Sequence, residues 1–136
     1  MQGRAFLDLA REVVRGGTPR HRRGAIIHSY YAPLLECREA MDRLGFPPLS
    51  RQQVHAQIRL RLVYATDRDT KRIGMALERL GQDRNLANYD LRDLQMFGTD
   101  RDARDAIQAA SDFIALLEAI DADPVRRAAA MASIKP

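Results

Sequence analysis

Tryptophan is absent from this chain, cysteine occurs once, histidine three times, and aromatic residues make up only 6% of the 136 positions. A single thiol, Cys37, excludes an internal disulfide and any zinc site built from several thiolates. It also fits a reducing compartment. With so few rings, the core has to come mainly from Leu, Ile, Val, Ala and Met. No run of about 18 apolar residues occurs, so no membrane-spanning helix and no membrane partner are expected. The opening stretch MQGRAFLDLAREVVRGG carries Asp8, Arg11 and Glu12 through its apolar part, unlike a secretory signal, and a cytoplasmic location is the expectation. Lysine is scarce as well. Lys71 and Lys135 are the two lysines among 22 basic residues, which leaves 20 arginines. A GC-rich genome drifts toward arginine codons unaided, so a net charge of +4 does not by itself specify a nucleic-acid partner.

What remains is ordinary for a globular protein, with 46% hydrophobic and 29% charged residues, in a length that suits one domain over 1–136. β-branched residues are sparse and no segment alternates apolar with polar for long, so a sheet is not expected. Helical spacing explains most of the chain. A first helix over about 4–15 carries Phe6, Leu9, Ala10 and Val13. Thr18 is placed to cap a second helix with Pro19 in its first position, and this helix runs to about Leu44 on a stripe of Ile27, Tyr30, Leu34, Cys37 and Met41. Gly45–Pro48 breaks the pattern. Ser50 and Gln53 form a capping box for a third helix with Val54, Ile58, Leu62 and Ala65 inward. Thr66 or Asp67 caps a fourth, and Thr99 with Asp102 caps a fifth that ends at Asp121–Pro124. The expectation is an all-α antiparallel bundle of about five helices with its core over about 4–121, followed by a short helix or frayed tail over 122–136.

The segment GQDRNLANYDL, Gly81 to Leu91, interrupts this rhythm with a polar cluster. Ile73, Leu77, Leu80, Arg84, Ala87 and Leu91 follow steps of four and three, which places Arg84 on the buried seam if the fourth helix continues past Gly81. A charge there is costly unless it is paired or opens onto a cleft. The alternative is that the helix stops at Gly81 and Arg84 lies on the surface, bonded to Asp90.

Three blocks then point to a family. HRRGAIIHSYYAPLLECREAMDRLG in the second helix, QQVHAQI in the third and RNLANYD after the fourth, in this order and spacing, resemble the HEPN superfamily over about 5–120. The resemblance implies a helical bundle that usually forms a homodimer. Many relatives are metal-independent ribonucleases, toxins or defence components, often paired with a small nucleotidyltransferase. In the nucleases an Arg, a polar residue and a His four to six residues after the Arg line a cleft. Mapped onto this chain, Arg84 and Asn85 begin the motif and Tyr89 stands where the His would be. A phenol titrates near 10 and is a poor general base at neutral pH, so the resemblance is to a variant branch. RNA or nucleotide binding with weak or absent catalysis is the leading implication, and Asp90, Tyr30 and Tyr31 are the supporting residues. Two other readings stay open: an active metal-independent endoribonuclease using Arg84 with Tyr89 or His28, and a non-catalytic scaffold for protein interaction.

His28 shares a helix with the tyrosine pair, although a packed or surface imidazole explains it as well. His55, in phase with Ile58 and Leu62, reads as a hydrogen-bonded histidine at the core edge. No two of the three histidines sit four apart beside a carboxylate, so neither a metal nor a cofactor is expected. Finally, RGGTPRHRRG, Arg15 to Gly24, holds four arginines and no acid at the amino end of a helix. Cations are unfavourable there, which makes Arg20, Arg22 and Arg23 candidates for seating a phosphate. The alternative is a solvated helix end.

Overall fold

The computed structural model describes residues 2–46 and 54–134. Its elements are α1 (Gly3–Val14), α2 (Pro19–Arg43), α3 (Val54–Val63), α4 (Arg68–Tyr89), a single 3-10 turn at Gln95–Phe97, α5 (Arg101–Ala122) and α6 (Pro124–Ser133). Among the described residues there is no strand. The protein is all-α, a small helical bundle, and none of its described helices is long and apolar enough to cross a membrane. The tail left open by the sequence is helical as α6.

Several helix starts follow from their caps. The Asp67 carboxylate accepts from the Thr70 amide at 3.0 Å and opens α4, as expected. Asp123 accepts from the amides of Val125 and Arg126 and opens α6, with Pro124 in the first position where its missing N–H costs nothing. Two expected caps differ. Thr18 occupies the cap position of α2, but its hydroxyl bonds the His21 imidazole at 2.5 Å instead of a helix amide. At α5 the cap residue is Asp100, and its carboxylate is engaged by Arg22 from α2 and Arg104, so Thr99 and Asp102 form no box. The Ser50–Gln53 box lies outside the described residues.

α2 is the centre of the bundle and packs on α1, α4 and α5, while α3 rests chiefly on α4. Tyr30, Leu34, Cys37 and Met41 are buried along α2 as the spacing requires. On α1 the inward face is Gly3, Leu7, Ala10 and Val14: Ala10 is buried as expected, while Leu7 and Val14 take the inward places expected for Phe6, Leu9 and Val13. The reason is close approach: Gly3 lies so near α2 that a Cβ would sit 2.6 Å from the Ala32 carbonyl oxygen. α3 crosses α4 equally tightly, where a Cβ on Gly74 would fall 2.6 Å from the backbone of Leu62 and Val63. α5 returns antiparallel to α4, and Arg126 just beyond its end bonds Asp69 in the first turn of α4 at 2.8 Å. Cys37 is wholly buried, and desolvation pushes its thiol up to about 12.

A candidate anion cleft around Arg84

α4 runs without a break through Gly81 to Tyr89, and the seam continues with it. Ile73, Leu77, Leu80 and Ala87 are buried, and Arg84 between them is half-buried. Gly81 makes room for what lies opposite: a Cβ there would come within 3.3 Å of the Tyr30 ring. One turn further along, the Arg84 guanidinium lies 5.1 Å from the centroid of Tyr30 and 5.7 Å from that of Tyr31. Cations favour the negative faces of rings, which compensates part of the cost of burial. The compensation is incomplete. Arg84 Nε is buried and has no hydrogen-bond partner among the described residues, and none of the ion pairs among them includes Arg84.

The third wall comes from α3. His55 stacks on Tyr30 with ring centroids 5.7 Å apart, and its Nδ1 lies 2.8 Å from the Tyr30 hydroxyl. Tyr31 meets His55 edge-on at 6.2 Å. Tyr30, His55, Arg59, Glu78, Gln82 and Asn85 join Arg84 around a cleft of about 230 Å³. Burial and the neighbouring cations Arg84 and Arg38 hold the His55 imidazole below its ordinary 6.5, so the ring is neutral at pH 7. Burial raises the Tyr30 phenol and Arg84 opposes that rise. The phenol therefore keeps its proton. Chemically, the cleft offers one fixed guanidinium, a second cation at its rim, a neutral imidazole and a protonated phenol, against the one acid Glu78, a balance that suits an oxyanion.

The sequence-derived residues distribute unevenly. Arg84, Asn85, Tyr30 and Tyr31 come together. Tyr89 does not: five residues on, it points roughly 140° round the helix from Arg84, is 72% exposed and lies outside the cleft. Asp90 supports a different arginine. Its carboxylate binds Arg92 at 2.6 Å, and those bonds hold it down to about 2. The alternative of an Arg84–Asp90 pair on the surface is thereby removed. His28 packs against Phe6, with centroids 5.9 Å apart, and burial lowers its basicity. It does not line the cleft.

The basic loop also has another use. Arg22 donates to the Asp100 carboxylate at 2.8 Å and to the carbonyls of Phe97 and Gly17 at 3.1 Å each. Arg23 donates to the carbonyls of Ala87 at 3.1 Å, Arg92 at 2.8 Å, and also Asp90, and lies 4.0 Å over the Phe97 ring. It caps the carboxyl end of α4, where the terminal carbonyls lack helical partners. These two guanidiniums are used internally, and Arg20 is the one of the three left exposed. The residue that sequence reasoning left out of the site is His55. Its signal was available: an imidazole on the inward stripe of α3, beside a helix whose own inward stripe carries an arginine. Comparison with known proteins finds no match to a family model, to a curated protein or to a solved structure.

Proposed function

We propose that this protein binds RNA, with one backbone phosphate seated in the cleft on Arg84 and neighbouring nucleotides on the surrounding surface. The observation that carries the reading is the Arg84 guanidinium held over Tyr30 and Tyr31 with an unmet buried donor. An arginine kept in a half-dry site with no ion pair among the described residues is costly unless an anion visits. At about 230 Å³ the cleft lies below the roughly 300 Å³ at which small-molecule pockets begin. It therefore fits a phosphate group better than a whole nucleotide.

The resemblance to the HEPN superfamily supports the same reading and adds a cytoplasmic homodimer working beside a nucleotidyltransferase. The dimer has support on this surface: Leu86, Tyr89 and Leu91 are 37%, 72% and 89% exposed, next to Gln82 and Asn85, which also border the cleft.

A second reading, metal-independent cleavage of the bound strand, is favoured by His55. With Nδ1 donating to the Tyr30 oxygen, a neutral His55 keeps a lone pair on Nε2. That nitrogen would take the proton of a ribose 2′-hydroxyl, whose oxygen attacks phosphorus as the 5′-oxygen departs and takes a proton from water, and the imidazolium then returns its proton to solvent. The product is a 2′,3′-cyclic phosphate, and Arg84 steadies the charge on the phosphoryl oxygens.

The test is titration of a labelled single-stranded RNA across a range of salt. Binding should weaken as salt rises, with a slope of about −0.7 per phosphate neutralised, and should perturb the Tyr30, Tyr31 and His55 resonances. Salt-insensitive binding, or perturbation that avoids these three, would refute the RNA reading. Incubating the same RNA in chelator and assaying for cyclic-phosphate ends decides the second, and persistence of such ends in His55→Ala would count against it.

A further inference from the structure

α4 borders a second concave feature, which shares no lining residue with the Arg84 cleft. Between α4 and α5 runs a groove of about 510 Å³ whose floor is Ile73, Ala76, Ala109, Phe113 and Leu116. Ile73 and Phe113 are almost wholly buried, whereas Met75 at the lip is 53% exposed. Arg68, Lys71 and Arg72 line the same groove, all three are exposed, and no ion pair among the described residues involves them. The carboxylates nearby are engaged elsewhere. Asp67 caps the helix through Thr70, Asp69 holds Arg126, and Asp112, the one acid on the groove wall, accepts from Gln108 at 2.9 Å.

The three cations cluster in the first two turns of α4, where the backbone already carries partial positive charge. Because α5 runs antiparallel, this cationic end faces Leu116 and Asp112, and the groove becomes wholly apolar toward Ala76 and Ala109. The trough is therefore polarised along its length: positive at one end, greasy at the other. Arg68 to Ala76 covers about 12 Å of helix. That is short for a protein interface, which needs roughly 800 Å² from each partner, while the volume suits a small ligand.

We propose that this groove binds a small anionic amphiphile, an acyl or alkyl chain ending in a phosphate or carboxylate. The chain lies over Ile73, Phe113 and Ala109, and the head is held by Arg68, Lys71 and Arg72. The site does not depend on the RNA reading, because none of its lining residues lines the Arg84 cleft.

Straight-chain alkyl phosphates from hexyl to decyl, kept below their micelle concentrations, are the probes, with calorimetry for affinity and amide NMR for location. Affinity should rise about fourfold per added methylene, the transfer free energy of a CH₂, until the groove is full. The shifts should map to α4 and α5. Alkyl carboxylates of equal length distinguish a general anion site, where they bind comparably, from a phosphate site, where they bind less well; both outcomes support the proposal. Decylammonium should bind at least tenfold more weakly than decyl phosphate. Lys71→Glu should abolish that head-group preference, and Met75→Asp should flatten the chain-length dependence. Both side chains are exposed, so circular dichroism should be unchanged, and RNA affinity should stay as in the parent. Affinity independent of chain length, equal binding of decylammonium, or a homodimer that Met75→Asp dissociates would overturn the proposal.

Discussion

Arg84→Met separates a ligand-binding arginine from a structural one, because the two roles predict different combinations of stability and RNA affinity. The methionine keeps an unbranched stem against the rings of Tyr30 and Tyr31 and removes the guanidinium. Lost with it are two cation–π contacts, with centroids at 5.1 and 5.7 Å, each worth about 0.5–1 kcal/mol at a partly exposed site. Also removed is a buried N–H without a partner, whose desolvation costs about 1–3 kcal/mol. The balance runs from about 1 kcal/mol against the variant to about 2 kcal/mol in its favour, so thermal or urea unfolding should show stability little changed or raised. RNA binding should move the other way. A charge-assisted bond to phosphate is worth about 1.5–3 kcal/mol, a loss of roughly 10- to 150-fold in affinity. The salt slope should fall by about 0.7. Fluorescence anisotropy on a labelled strand at several salt concentrations measures both. A variant destabilised by more than about 2 kcal/mol with RNA affinity unchanged would show that Arg84 belongs to the core alone.

Three further outcomes are expected. Arg23→Met frees the carbonyls at the end of α4 and should cost about 2 kcal/mol, with faster amide exchange over the last turn of α4 than in the parent, whereas Arg20→Met should leave stability unchanged. Gly74→Ala drives a Cβ into the backbone of α3 and should destabilise by about 1–3 kcal/mol; an unaltered urea midpoint would contradict the tight crossing. The pH dependence follows from His55. Its folded pKa lies below 6.5, so the unfolded chain takes up the proton first as the medium is acidified. The native state should lose stability as pH falls from 6.5 through the folded pKa of His55, and His55→Gln should remove that part of the pH profile. If the bound RNA is cut, the rate should already have reached its plateau by pH 7.

What could be read in advance depended on how far apart the interacting residues lie in the chain. Helix spacing is local, so the seam through Ile73, Leu77 and Leu80 could be extended to Arg84, and the start of α4 could be narrowed to Thr66 or Asp67 from neighbouring residues. Arg22 and Arg23 were misleading for the converse reason. Asp100 lies 78 residues from Arg22, and the carbonyls that receive Arg23 lie 63 to 69 residues away. No local pattern shows that these charges are already committed. His55 was underweighted because its partner Tyr30 belongs to another helix, and only packing brings the two rings to 5.7 Å. Tyr89 was overweighted because a position in a linear motif says nothing about which side of a helix its ring leaves from.

The lone cysteine turns the bundle into its own stopwatch. Position 37 sits in the middle of α2, shielded on every side and with its thiolate suppressed, so alkylating reagents find nothing to attack until the helices around it separate. The pace at which a chromogenic disulfide consumes that one sulfur then reports how often the interior opens. It does so with no label added and no second thiol to confuse the count.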